Sequence, residues 1–293
     1  MAEYLYPDAI LSTADLAEML EDPDLRIYDC TFYLHYEEGT GRPYTVCSGR
    51  PDWEKGRIPG SMHLDLQEDF SDQDAPTKFM HLSAEATLAA FARHGVGQDT
   101  RVVLYSRGSP NRATRFWWML RWIGFDNAAI LDGGMDLWEA EGRPISTETT
   151  SYPAGSLTAR ERSGLWADKD EMLAAIGNGA VCSLNALDET MHSGENPRYG
   201  RPGRIPGSTN VPSANLIDTS QQFLPAAQAA ELFAAAGADP EKRILNYCGG
   251  GIAATLDAFL QHQLGYRNIS VYDASMSEWA KDDALPIEKD MIE

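Results

Sequence analysis

Arg57-Ile58-Pro59-Gly60-Ser61 returns 147 residues later as Arg204-Ile205-Pro206-Gly207-Ser208. Downstream the correspondence continues at a spacing of 141 residues: Gly124-Phe125-Asp126-Asn127 matches Gly265-Tyr266-Arg267-Asn268, and Leu131-Asp132-Gly133-Gly134-Met135 with Trp138 matches Tyr272-Asp273-Ala274-Ser275-Met276 with Trp279. Motifs recurring in one order at half the chain length describe two copies of a domain, not a stack of short repeats. The 293 residues accommodate two domains of ordinary size. The stretch 146–163 is rich in Ser and Thr, lacks sustained periodicity and reads as the linker. A boundary near residue 155 gives an amino-terminal domain over 1–155 and a carboxyl-terminal domain over 156–293.

Within each copy, short β-rich runs alternate with stretches of helical periodicity, the pattern of an α/β domain with a mainly parallel sheet flanked by helices. In the first copy, 101–105 reads as a buried strand, 112–123 as a helix with Ala113, Phe116, Trp117 and Leu120 on its apolar face, and 128–131 as the next strand. In the second, the strand 244–247, a helix from Ile252 and the strand 269–272 follow in the same order. Gly124 and Gly265 stand where a left-handed residue ends each helix.

Composition narrows the function. Hydrophobic residues make up 43% and charged residues 23%, as in ordinary folded domains, while 24 basic against 44 acidic residues leave a net charge of −20. That charge gives counterion release at nucleic acid or an anionic membrane no basis, so any anionic ligand needs a local site. Stretch 1–20 lacks the basic start and apolar run of a secretory signal, and no window reads as a membrane span. Four cysteines with no C-x-x-C pair are too sparse for a disulfide framework, so a cytoplasmic location is expected. The six histidines show no metal-binding spacing, and no cofactor is expected.

Cys248 is the residue placed for chemistry. It ends a predicted strand and is followed by Gly249-Gly250-Gly251 and a helix start. Glycines let the backbone curl with its N–H groups inward, and the helix adds its positive end, a setting that stabilises a thiolate or a bound anion. Ligand sites of open α/β sheets lie at this carboxyl end of the strands. The matching residue of the first copy is Ser106, which leaves that domain non-catalytic and a supplier of cleft residues. Cys30 and Cys182 read as small core residues and Cys47 as part of a polar loop over 40–51.

The repeat, the two R-I-P-G-S turns, the D-G-G-M-x-x-W stretch and the Cys248 loop together resemble the tandem-domain rhodanese family of thiosulfate and 3-mercaptopyruvate sulfurtransferases. The resemblance implies two rhodanese-like domains. It further implies a Cys248 that takes a sulfane sulfur from a small donor as a persulfide and passes it to a thiol, cyanide or protein acceptor, with Gly249, Gly250, Gly251, Ile252 and Ala253 as its cradle.

The loop Cys248-Gly249-Gly250-Gly251-Ile252-Ala253 departs from the family. It is closer to the C-G-S-G-V-T of mercaptopyruvate members than to the C-R-K-G-V-T of thiosulfate members, yet it lacks both hydroxyls of the former. On the preceding strand the family's two arginines are gone, and Asp188 occupies the later position. Arg198 is therefore expected to clamp the donor's carboxylate or sulfonate, with Arg107 and Arg112 reaching the cleft from the first domain and Phe32 facing the loop. Gln67 and Phe79 stand where mercaptopyruvate members carry an acid and a histidine, and His81 lies two residues on.

The sixth residue after Cys248 is Ala254, not the arginine of Cdc25-type phosphatases, so phosphoryl transfer lacks its charge stabiliser. Two other readings share the sulfurtransferase loop: a non-catalytic or regulatory rhodanese module, and an enzyme for an unusual organosulfur donor. The run Phe116-Trp117-Trp118 with Trp122 has helical spacing and reads as core, not as a base-stacking surface.

Overall fold

The structure is a computed structural model, and residues 2–36 and 43–290 are described. Its strands are β1 Ile10–Leu11, β2 Leu25–Asp29, β3 Phe32–His35, β4 Thr45–Ser48, β5 Met62–His63, β6 Arg101–Tyr105, β7 Ala128–Leu131, β8 Trp166–Ala167, β9 Val181–Asn185, β10 Thr209–Asn210, β11 Arg243–Tyr247 and β12 Ile269–Tyr272. Two five-stranded parallel sheets result, ordered β1-β7-β6-β2-β5 and β10-β9-β11-β12-β8. Read from opposite ends these are one topology, with β6 and β11 as equivalent central strands. Both are buried past their first residue, which is why they read as continuous apolar runs instead of alternating ones.

The repeated R-I-P-G-S turn has the same task in each half. Ile58 and Ile205 are fully buried, and Gly60 and Gly207 take left-handed backbones with φ of +79° and +74°. Ser61 Oγ then meets the hydroxyl of Tyr105 at 2.9 Å, and Ser208 Oγ meets that of Tyr247 at 2.7 Å. Each turn is thereby pinned to the last residue of its central strand. Trp138 and Trp279 likewise donate their indole N–H groups to Pro144 O and Pro286 O, each at 2.8 Å.

The helices after the central strands span Asn111–Trp122 and Ala253–Gln263 and pack against each other between the domains. Gly124 and Gly265 follow them at φ +90°, as their spacing predicts. Thr114 and Thr255 hydroxyls meet at 2.8 Å, and the Trp117 ring stands edge-on to Phe259 at 4.8 Å. The tryptophan run is core: Trp117, Trp118 and Trp122 are all buried.

Two features differ from the sequence reading. Residues 147–162 carry no helix or strand but are not a free tether: Gly155 N donates to Ala92 O and Arg160 N to Ile123 O, so the segment runs along the first domain. Cys47 lies in β4, which pairs antiparallel with β3, not in a loop. Its strand alternates exposed and half-buried residues, a weak pattern that polar neighbours obscure. Among the described residues, this hairpin has no counterpart in the second domain. No helix is long and apolar enough to cross a membrane among the described residues.

Candidate active site

Cys248 follows β11 at the carboxyl edge of the second sheet and begins the turn into helix Ala253–Gln263. Two of the loop's carbonyls are turned outward: Cys248 O accepts from Met276 N at 3.0 Å, and Gly249 O accepts from Ser277 N at 2.8 Å. Cys248 N donates to Ser275 Oγ at 3.0 Å. The N–H groups of Gly249, Gly250, Gly251 and Ile252 donate to no group among the described residues. Unpaired amides beside a helix N-terminus favour negative charge nearby.

Cys248 is only 2% exposed, but it borders a cavity of about 220 Å³ at the domain interface. Gly249, Gly250, Ile252 and Ala253 form one side of it. Across from them stand Phe32 and Leu34 of β3, Tyr36, Tyr44 and Phe79, so the hairpin peculiar to the first domain supplies much of the wall. Phe79 packs on Phe32 with ring centres 5.2 Å apart and on Tyr44 at 5.9 Å. Tyr199 closes the cavity from the second domain, 6.5 Å from Tyr44. Burial pushes the Tyr44 hydroxyl up to about 12 and that of Tyr199 well above its ordinary value, so both stay protonated near neutrality.

Arg112 is the one charged side chain lining this cavity among the described residues. Its Nε donates to Phe32 O at 2.5 Å, and its guanidinium lies 5.4 Å over the Phe32 ring. Nη2 makes no hydrogen bond to a described residue. Arg198 is elsewhere: its guanidinium stacks 3.8 Å over the Tyr36 ring and does not line the cavity. Arg107 is also outside, donating to Glu139 and to Gly56 O, both at 3.0 Å. Asp188 does not face the cavity either; it caps helix Glu189–Ser193 by accepting from Met191 N. Gly251, the third glycine of the loop, has φ +70° and does not line the cavity.

Sequence reasoning missed Tyr36, Tyr44, Tyr199, Arg115 and Ser275. No spacing signal marks the first three, which flank the β3–β4 hairpin (Tyr36, Tyr44) or lie in a turn of the second domain (Tyr199). Ser275 falls in the repeated stretch opposite Gly134, and that substitution is the one sign of it in the sequence. Phe79 does reach the cavity, whereas His81 is held between Trp122 and Trp166, at 4.7 and 4.8 Å.

The rhodanese-like domain model matches twice, over residues 12–141 and 170–282. The chain belongs to the rhodanese family. It is 30% identical over 299 residues to the sulfur carrier protein TtuD of Thermus thermophilus, covering 98% of each chain. It is 30% identical over 284 residues to a probable 3-mercaptopyruvate sulfurtransferase of Pseudomonas aeruginosa, covering 95% of this chain and 97% of that one. The crystal structure of the 3-mercaptopyruvate sulfurtransferase SseA from Escherichia coli superposes with a TM-score of 0.77 at 25% identity, over 91% of this chain and 98% of the other. Both domains are therefore rhodanese domains, each a parallel sheet flanked by helices, and the chain is of the sulfurtransferase family.

Proposed function

We propose that this rhodanese-family protein transfers a sulfane sulfur from a small organosulfur anion to a thiol or cyanide through a persulfide on Cys248. The thiolate attacks the donor's outer sulfur. The bond holding that sulfur to the donor breaks, its electron pair leaving with the donor remnant, and a Cys248 persulfide forms. An acceptor nucleophile then attacks the outer sulfur, carries it away and returns the Cys248 thiolate, so the cycle needs no external oxidant or reductant. The observation that carries this reading is the set of four loop amides, Gly249 to Ile252, unpaired among the described residues, beside a cysteine at a cavity.

Arg112 takes the clamp role expected of Arg198, since it is the cation on the cavity wall. The remaining walls are aromatic and aliphatic, which suits a donor with one anionic group and an apolar body over a doubly charged inorganic one. The first domain, with Ser106 at the cysteine position, supplies wall and clamp and no nucleophile; we divide the halves near residue 155. All four cysteines are free, and we place the protein in a reducing, cytoplasmic setting.

Intact-mass measurement after mixing with thiosulfate, 3-mercaptopyruvate and aromatic organosulfur donors tests the proposal. A gain of one sulfur atom that disappears in Cys248→Ser and on addition of cyanide is expected. Failure to gain sulfur from every donor leaves a binding or regulatory module in its place.

A further inference from the structure

We propose that Arg115 is a positioning residue through which the first domain holds the Cys248 loop and the facing aromatic wall in register; the proposal deepens the sulfur-transfer reading above. Arg115 belongs to the first domain's helix Asn111–Trp122 and is 0% exposed. Its Nη1 donates to Gly251 O at 3.2 Å and to the carboxylate of Asp273, and its Nη2 donates to Phe79 O at 2.6 Å. The guanidinium lies 4.6 Å over the Trp166 ring. The second oxygen of Asp273 accepts from His81 N at 2.8 Å, so the pair sits in a cross-domain junction.

Both carbonyls that Arg115 holds belong to unusual backbone. Gly251 has φ +70°, and a Cβ there would come within 2.6 Å of two Asp273 oxygens and 3.1 Å of Arg115 Nη1, so the left-handed backbone and the close approach of Asp273 require glycine. Phe79 has φ +67°, a conformation that costs a residue with a side chain about 1–3 kcal/mol and needs outside support. Its ring is part of the cavity wall. One guanidinium therefore ties a segment on each side of the Cys248 cavity.

Duplication provides an internal comparison. Gln221, with φ +62°, is the counterpart of Phe79, and Asp132 is the counterpart of Asp273. Asp132 accepts from Phe223 N at 2.8 Å and Gln222 Nε2 at 3.2 Å, the reciprocal of the Asp273–His81 bond. At the spacing of 141 that relates Gly124 to Gly265 and the paired Thr114 to Thr255, the position matching Arg115 is Leu256, equally buried and with no side-chain donor. The domain clasp is thus built twice, but the fork of donors exists only on the cysteine side. A requirement of the interface alone would apply to both sides.

The test compares three full-length variants. Arg115→Lys keeps the charge and loses the fork. Arg115→Met with Asp273→Asn removes both buried charges together, a change that is often neutral or stabilising, so this variant is expected to fold. Asp132→Asn loosens the equivalent clasp on the serine side. Both Arg115 variants are expected to form persulfide at least about tenfold more slowly in single turnover at saturating donor, and to react with iodoacetamide at Cys248 at a changed rate. Asp132→Asn should keep both rates within about twofold of the parent. Parental rates in a folded Arg115 variant, or an equal fall in Asp132→Asn, overturn the proposal. Absence of persulfide in the unaltered protein overturns sulfur transfer instead, while the iodoacetamide rates still decide the role of Arg115.

Discussion

Ser275 Oγ accepts the backbone N–H of Cys248 at 3.0 Å while its own backbone is left-handed, at φ +49°. At the same place in the first domain stands Gly134, with φ +54° and no hydroxyl to offer Ser106. The cysteine half therefore tolerates a strained serine where the serine half uses glycine. Ser275→Ala keeps the strain and orphans a buried N–H, which should cost about 1–3 kcal/mol and lower the melting temperature. Ser275→Gly relieves the strain and should melt at a higher temperature than Ser275→Ala. Both should form persulfide more slowly than the parent; a parental rate in Ser275→Gly would remove the hydroxyl from the site's workings.

Gly249 touches Tyr199 so closely that a Cβ would stand 1.8 Å from the phenol oxygen. Gly249→Ala must displace either the ring or the loop, an overpacking penalty of about 1–3 kcal/mol. Thermal melts should register that loss, and the rate of persulfide formation should fall by more than about tenfold because the wall moves with the ring. Near-parental kinetics would mean that Tyr199 yields without consequence.

Arg112 is buried enough that desolvation lowers its pKa, yet one edge remains without a protein partner among the described residues. Replacing it by methionine should raise KM for anionic donors by about ten- to a hundredfold, corresponding to the ~1.5–3 kcal/mol of a hydrogen bond to a charged group. Neutral persulfide donors should be affected far less. Steady-state kinetics across a charged and a neutral donor give the comparison, and equal losses for both would indicate a role in packing Phe32.

His262 stacks on Tyr6 at 4.5 Å and also packs on Trp117. Burial, with help from the Arg121 guanidinium, pulls its pKa from 6.5 to about 3. The folded imidazole therefore stays neutral where the unfolded one takes up a proton. Its contribution to stability is present above pH 6.5 and is lost progressively as pH falls toward 3. His262→Phe retains an aromatic ring and removes the titration, so its melting temperature should decline less steeply than the parent's over that interval. Parallel curves would assign the acid sensitivity to other groups.

The central strands, the helices after them, the glycines that end those helices and the duplication itself could all be read from residue order. Each is set by local rules: buried strands are continuous apolar runs, helices repeat every three to four residues, and left-handed stops demand glycine. The Cys248 loop was readable for the same reason, being one contiguous stretch whose glycines and following helix dictate its backbone. The clamp was not. Residue order favours Arg198, with Arg107 and Arg112 behind it, and only packing of the two domains leaves Arg112 on the cavity while Arg198 lies on Tyr36 and Arg107 reaches Glu139. Arg115 and Ser275 were equally hidden, because their partners Gly251, Phe79 and Cys248 lie 136, 36 and 27 residues away. Contacts at such separations depend on how surfaces meet, a property that no short window of residues carries.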